Sequence, residues 1–434
     1  MDYTPSGPRE KELGIEVFLT KTPGIGGRLR KFPEDFVVEE IPIFPERDDR
    51  GAYTIAKVPS KNCEINRLVR QLSRALRISR NKIGFAGTKD KRAITTQLMS
   101  FEAPLEAVLS INLHQVIISD AYRSRKPILI GDLIGNTFRI RIRECLHTDE
   151  ELLRLLDNTI SILNEAGGFP NFFGVQRFGA VRPVTHYVGR YIIKGDFKSA
   201  VLTYTASPTE YESEQTKEVR RELNETWDFE RALKTFPKKL MFERTVIAHL
   251  VKHPNDYVGA IRSLPANLQM MFVHAYQSYL FNRILSERIK RGLDLNKPVI
   301  GDIILPADER GLPDHERHIL VTRENIDLVE RKVREKKAFI SGVLFGSESE
   351  FAEGEMGEIE KEIILSEGVS KEDFIVPEAP QCSSKGSRRE ILASIKNLEY
   401  NVKDNEVFIS FALHRGCYAT ALLREIMKTD VMAY

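Results

Sequence analysis

The sequence predicts an α+β protein in which one domain is made of two separated pieces and a second is lodged between them. Three observations predict it. Up to about residue 197, strand and helix signals alternate with short, hairpin-like connections. From there the pattern turns mainly helical. At the end stands a lone strand and a short helix, which cannot bury a core alone and so complete the sheet begun before residue 197. The length of 434 residues independently suggests two or three domains at roughly 150 residues each.

The elements follow in order. After Gly51, the run AYTIAKV reads as a strand. Asn62 to Ser79 reads as a helix with Asn62 as N-cap. Its apolar face is Ile65, Leu68, Val69, Leu72 and Leu76, at helical spacing. A short strand, IGFA (Ile83 to Ala86), leads into the loop GTKDKR, and AITTQLMSF resumes strand character. Phe138, Ile140 and Ile142 alternate with Arg139, Arg141 and Arg143, which gives a strand with one core face and one basic face. Thr148 and Glu151 form a capping box for a helix running to about Glu165, ended by Gly167 and Gly168. Glu212 to Phe236, Leu264 to Arg291 and Glu324 to Lys337 read as helical. Lys297 to Val321 is a Gly/Pro-punctuated strand region, and QCSSKGSRRE is a looser segment. EVFISFA (Glu406 to Ala412) is the last strand. After the HRG turn, Leu422, Leu423, Ile426 and Met427 line one side of the last helix.

Composition excludes several classes. With 42% hydrophobic residues the chain can bury a core, so wholesale disorder is excluded. No uncharged apolar run approaches the ~20 residues that span a bilayer, and the N-terminal MDYTPSGPREKE has no apolar signal region. The expectation is a cytoplasmic protein with no membrane partner. Cys63, Cys145, Cys382 and Cys417 are too scattered for a CxxC pair and read as reduced, structural thiols. His315 and His318 lie in a Gly/Pro-rich stretch without an obvious third ligand and read as solvated loop residues, so no metal site is assigned. Neither GxGxxG nor GxxxxGK[ST] occurs between a strand and a helix, which argues against a nucleotide cofactor.

Sixty-four Lys+Arg against 62 Asp+Glu leave a net charge of +2, but the charge is segregated. Arg67 to Arg92 holds nine basic residues and one acid, Asp90, whereas Ser347 to Glu362 holds seven glutamates and one lysine. A localised basic face is the footprint of a polyanion binder. On the helix, Arg67, Arg70, Arg74 and Arg77 recur opposite the leucines. That stripe suits two roles, gripping phosphates or keeping the helix in water.

Two segments carry candidate chemistry. Asp90 lies in a loop between Lys89, Lys91 and Arg92; neighbouring cations favour its ionised form, which suits a nucleophile or base, and a simple turn aspartate is the alternative. Asn171-Phe172-Phe173-Gly174-Val175-Gln176-Arg177-Phe178-Gly179 combines residue types that stack on and hydrogen-bond RNA bases, or that form a buried aromatic loop.

Six segments, in order, resemble the TruD family of tRNA pseudouridine synthases. GFAGTKDKRAITTQ matches the family's G-x-K-D-x-x-A-x-T-x-Q at Gly87, Lys89, Asp90, Ala93, Thr95 and Gln97. PEDFVVEE (Pro33 to Glu40), GNTF (Gly135 to Phe138), NFFGVQRFG, AYQSYLFN (Ala275 to Asn282) and GCYATALLRE (Gly416 to Glu425) match its other runs. Two places depart: Leu413-His414-Arg415 stands where the family often has Leu-Pro, and Arg30, followed by Lys31, stands where it has a lysine.

The resemblance implies a pseudouridine synthase catalytic domain with a mixed, mainly antiparallel sheet, at 1–196 and 395–434, and an inserted α+β TRUD-specific domain at 197–394. It implies a monomer that needs no cofactor, metal or protein partner and converts uridine to pseudouridine in tRNA, at uridine-13, in a basic cleft between the domains. A non-catalytic RNA-binding or chaperone protein of the same fold is the alternative. By the same resemblance Asp90 is the essential carboxylate and Phe173 stacks on the flipped base. Asn171, Phe36 and Tyr418 line its pocket, and Arg30 or Lys31 supplies a cation. Glu34 and Lys89 are supporting partners. Arg67, Arg70, Arg74, Arg77, Arg139 and Arg141 form the RNA-binding face.

Overall fold

The structure, a computed structural model, describes residues 3–89, 92–113, 116, 118–179 and 181–434. The chain divides into two compact units. One comprises Thr22–Phe169, Ala393–Thr429 and Ala433–Tyr434; the other comprises Met1–Lys21, Pro170–Leu392 and Asp430–Met432.

The first unit is built on a mixed sheet. Its strands run in the order Lys396–Lys403, Glu406–His414, Leu133–Cys145, Phe36–Pro42, Ile94–Phe101, Tyr53–Lys61 and Ser119–Ser124. Gly26–Arg28 is added beside Leu133–Cys145, and Ile83–Phe85 beside Ile94–Phe101. Among these pairings, Phe36–Pro42 with Ile94–Phe101 is parallel and the others are antiparallel. The C-terminal strand lies inside the sheet: Val407 to His414 pair with Ile142 to Gly135. That passage explains the glycine of GNTF, since a Cβ on Gly135 would stand 2.1 Å from the Leu413 carbonyl oxygen.

The arginine-bearing helix spans Ile65–Leu76, shorter than Asn62 to Ser79. Asn62 has a left-handed φ of 50° and donates its N–H to the Ala93 carbonyl, so the chain enters the helix later. The N-cap is Glu64, whose carboxylate accepts from the N–H groups of Asn66 and Arg67 at 3.0 and 3.2 Å. Arg77, also left-handed, stops it. Ile65, Leu68, Val69 and Leu72 are buried with Ala56, Val58, Met99 and Phe101, which is the burial that fixes the helix. Helix Asp149–Glu165 has the expected capping box at Thr148 and Glu151.

The second unit is mainly helical. Its longest helix, Ala266–Lys290, carries Phe272, Val273, Tyr276, Leu280 and Ile284 into the core. The helix Thr185–Ile193 approaches it closely, because a Cβ on Gly189 would lie 2.0 Å from the Phe272 carbonyl oxygen. The expected helix Glu212 to Phe236 is two, Glu214–Thr226 and Phe229–Thr235. Trp227 turns left-handed between them and Asp228 caps the second. An antiparallel sheet runs Ile319–Leu320, Ile303–Pro306, Ala338–Leu344, Ser387–Glu390. The segment expected to be loose thus supplies an edge strand, and its Arg388 is buried against Glu360. Glu360 belongs to helix Gly354–Ser366 within the acidic stretch, and its carboxylate also accepts from the N–H groups of Val343 and Ala352. No described helix is long and apolar enough to cross a membrane.

Candidate active site

Asp90 and Lys91 lie outside the described residues; Lys89, which precedes them in sequence, is described. The Ile94–Phe101 strand pairs with Phe36–Pro42 through residues 94–96, and with Ile83–Phe85 through residues 99–101. Leu98 stands at the seam between these two partners. Its N–H is met by a side chain, the Glu40 Oε1, at 3.2 Å. The other oxygen, Oε2, accepts from Lys89 Nζ at 2.6 Å, and the carboxylate and ammonium side chains are 1% and 7% exposed. A charge-assisted bond in such a setting is strong. Glu40 ends the PEDFVVEE run and Lys89 opens K-D, so two of the six motifs meet in one contact. Gln97 and Asn136, from the adjacent strands, are also part of this neighbourhood by register. Both amide atoms of Gln97, and the Asn136 Oδ1, are buried without a hydrogen-bond partner among the described residues.

PEDF is a 3-10 turn, Pro33–Asp35, delivering Phe36 into its strand. Asp35 fixes it from beneath: one oxygen accepts from the Phe32 N–H and the other from Arg143 Nε, both at 2.8 Å. Phe36 is fully buried. Its ring meets Phe138 edge-on, and the Arg30 guanidinium carbon lies 3.9 Å from its centroid. Lys31 pairs instead with Glu144 at 2.6 Å, and this bond holds the Glu144 carboxyl below its ordinary pKa. Arg30, not Lys31, is therefore the cation that touches a candidate pocket residue. Glu34 is exposed and pairs with Lys61, whose hydrogen bond lowers the carboxyl's pKa. Tyr418 is half-buried at the N-cap of helix Ala419–Met427.

Asn171 and Phe173 belong to the second unit. Asn171 is buried. Its amide nitrogen donates to the carbonyl oxygen and to Oε1 of Glu390, both at 3.0 Å, and its Oδ1 accepts from Arg389 Nη2 at 2.7 Å. The Arg389 guanidinium lies 4.2 Å from the Phe173 centroid, within cation–π range. The Phe173 backbone is clamped on both sides by Asn282, whose Oδ1 accepts from its N–H at 2.9 Å and whose Nδ2 donates to its carbonyl at 3.1 Å. The AYQSYLFN helix thus aligns the NFFGVQRFG run, and Ser278 of the same helix accepts from Arg177 Nε at 3.1 Å. Reading the sequence did not single out Glu40, Arg389 or Asn282 for a role.

The arginines divide into two kinds. Arg67, Arg70, Arg74 and Arg77 are exposed and have no ion-pair partner among the described residues. Arg139 and Arg141 are neutralised, by Glu39 at 2.7 Å and by Glu406. The thiols of Cys145 and Cys382 are pushed up to about 11 by burial, as suits unreactive structural cysteines.

Comparison with known proteins identifies first the fold and then the family. A crystal structure from Methanosarcina mazei, of the "Putative tRNA pseudouridine synthase D (TruD)", matches with a TM-score of 0.85 and 42% identity, covering 100% of both chains. The family model described as tRNA pseudouridine synthase D (TruD) matches residues 12–426. A relative from Methanococcoides burtonii is 45% identical over 97% of both chains. One from Methanosarcina mazei is 43% identical over 97% of this chain and 98% of its own. Both are named "Probable tRNA pseudouridine synthase D". The chain belongs to the TruD family of tRNA pseudouridine synthases, and its fold is the α+β fold of that family.

Proposed function

We propose that this protein isomerises uridine to pseudouridine in tRNA, at uridine-13, with Asp90 as the essential carboxylate. The observation that carries the reading is the K-D loop: its motif is intact in a chain matched to the family over residues 12–426, and its lysine is locked to the sheet by Glu40. The reaction needs the N1–C1′ bond to break, the base to turn, and C5 to bond to C1′. C5 then loses a proton and N1 gains one, so no oxidant or reductant enters. A base inside a helix cannot be reached, so the uridine leaves its stack and needs an aromatic partner. Phe173 and Phe36, each with an arginine against its ring, are the residues we assign to that pocket. Asn171, Tyr418 and Arg30 join them, with Lys89 and Glu34 in support.

In this reading 1–196 and 395–434 form the catalytic domain and 197–394 the inserted domain. The pairing of Glu406–His414 with Leu133–Cys145 supports a catalytic domain in two pieces; the compact units divide instead at Phe169/Pro170 and Leu392/Ala393, with Met1–Lys21 in the helical unit. The protein acts in the cytoplasm as a monomer. The test is direct: the purified protein is incubated with an unmodified tRNA transcript and pseudouridines are mapped. A new pseudouridine at position 13 is the expected result. Modification only at other positions would overturn the assignment to uridine-13, and no modification of any tRNA would overturn the activity.

A further inference from the structure

Ala86 and Ala93, on either side of the K-D run in sequence, are each hydrogen-bonded to other parts of the chain. The Gly131 N–H donates to the Ala86 carbonyl at 2.8 Å, and the Asn62 N–H to the Ala93 carbonyl at 2.9 Å. Between these ties Thr88 and Arg92 are exposed. Lys89 alone among the described side chains of this stretch turns inward as a buried charge, and it ends on Glu40. Glu40 is itself fixed, because its second oxygen fills the place of a strand carbonyl opposite the Leu98 N–H. The tether therefore runs from sheet backbone through a carboxylate to the residue joined to Asp90 by one peptide bond.

We propose that Glu40 is the positioning residue for the catalytic loop, acting through Lys89 and making no contact of its own with substrate. The inference rests on the reading of Asp90 given above. Two effects follow from the geometry. The Glu40–Lys89 bond fixes the backbone at residue 89, and a displacement of about 1 Å at a reacting group can cost on the order of 100-fold in rate. It also occupies the lysine's charge. A Lys89 released from Glu40 would be a cation whose nearest acid in sequence is Asp90, and pairing there would mask the carboxylate that the reaction needs.

The test is single-turnover pseudouridine formation, with tRNA binding and thermal melting measured in parallel, for wild type, Glu40→Gln, Lys89→Met, the double variant and Asp90→Asn. Glu40→Gln should slow the reaction about 10- to 100-fold at saturating protein while the tRNA Kd changes by less than about threefold. Removing one partner leaves a buried charge unpaired, which is strongly destabilising, whereas removing both is far better tolerated. The double variant is therefore the one expected to melt nearest to wild type, and it should react no faster than the slower single variant, because one tether is being removed twice. A wild-type rate in the double variant, or rate losses that multiply between the two single variants, would overturn the proposal. So would a slowed reaction that merely tracks a fall in melting temperature and tRNA affinity across the set. Activity in Asp90→Asn would overturn the reading beneath it; an inactive Asp90→Asn beside a fully active double variant would overturn the role of Glu40 alone.

Discussion

The Asn171 side chain bonds two neighbours, donating to Glu390 and accepting from Arg389, and it is buried. Asn171→Ala would strip partners from both. Leaving buried polar groups unpaired costs about 1–3 kcal/mol, more where a charge is involved, so the melting temperature should fall by several degrees. Arg389 also stands on the Phe173 ring, so turnover should fall further than stability explains. Melting and single-turnover measurements on the same preparation check this, and an Asn171→Ala protein with wild-type turnover would contradict the placing of Asn171 at the pocket. At this scale the sequence was informative where a residue's type sufficed and opaque where burial decided. A glutamate in an alternating strand reads as solvent-facing, and Glu40 is buried only because one strand partner ends beside it and another begins. Arg389 lies in a segment that reads as a looser one, yet it belongs to a strand, Ser387–Glu390, paired with Ala338–Leu344, and it meets Phe173 and Asn171. Phe36 and Tyr418 read as core residues; Phe36 is buried and Tyr418 half-buried, and only the motif match attached them to a pocket.

The helix Ile65–Leu76 decides what the basic region is for. Its arginines lack counter-charges among the described residues, whereas Arg139 and Arg141 on the sheet already have theirs. Each arginine–phosphate pairing removed should lower the slope of log K against log salt by about 0.7–0.9. Arg70→Ala/Arg74→Ala should therefore weaken tRNA binding and flatten its salt dependence by a total of about 1–2, without shifting the melting temperature, since both side chains are exposed. Titrations at several salt concentrations check this, and an unchanged slope would reduce the stripe to a solvated face. Arg141→Ala should do the reverse, affecting stability more than salt dependence. The apolar face of this helix was legible from spacing, but its ends were not. The left-handed turns at Asn62 and Arg77 belong to residue types that populate ordinary helices as well, and the Glu64 cap exists only because Asn62 is held by Ala93.

Across the whole molecule, the net charge of +2 hides a segregation that the structure refines: an uncompensated arginine helix, a neutralised sheet face, and an acidic stretch with one glutamate, Glu360, in the core. The closing strand was legible because a lone strand needs partners, and the strand it pairs with, Leu133–Cys145, has the alternation that accepts one. The packing of Met1–Lys21 with the middle of the chain was not legible, because short segments such as Val17–Phe18 carry too little periodicity to be assigned. What unites the six motifs in this account is a single reaction at Asp90. The measurement that tests it most directly compares Asp90→Asn with wild type on the same tRNA, reading pseudouridine formation and tRNA affinity side by side. Pseudouridine formation should vanish while affinity stays within about threefold of wild type, as expected for a group that acts on the reaction and not on binding. Pseudouridine formed by Asp90→Asn at the wild-type rate would contradict it.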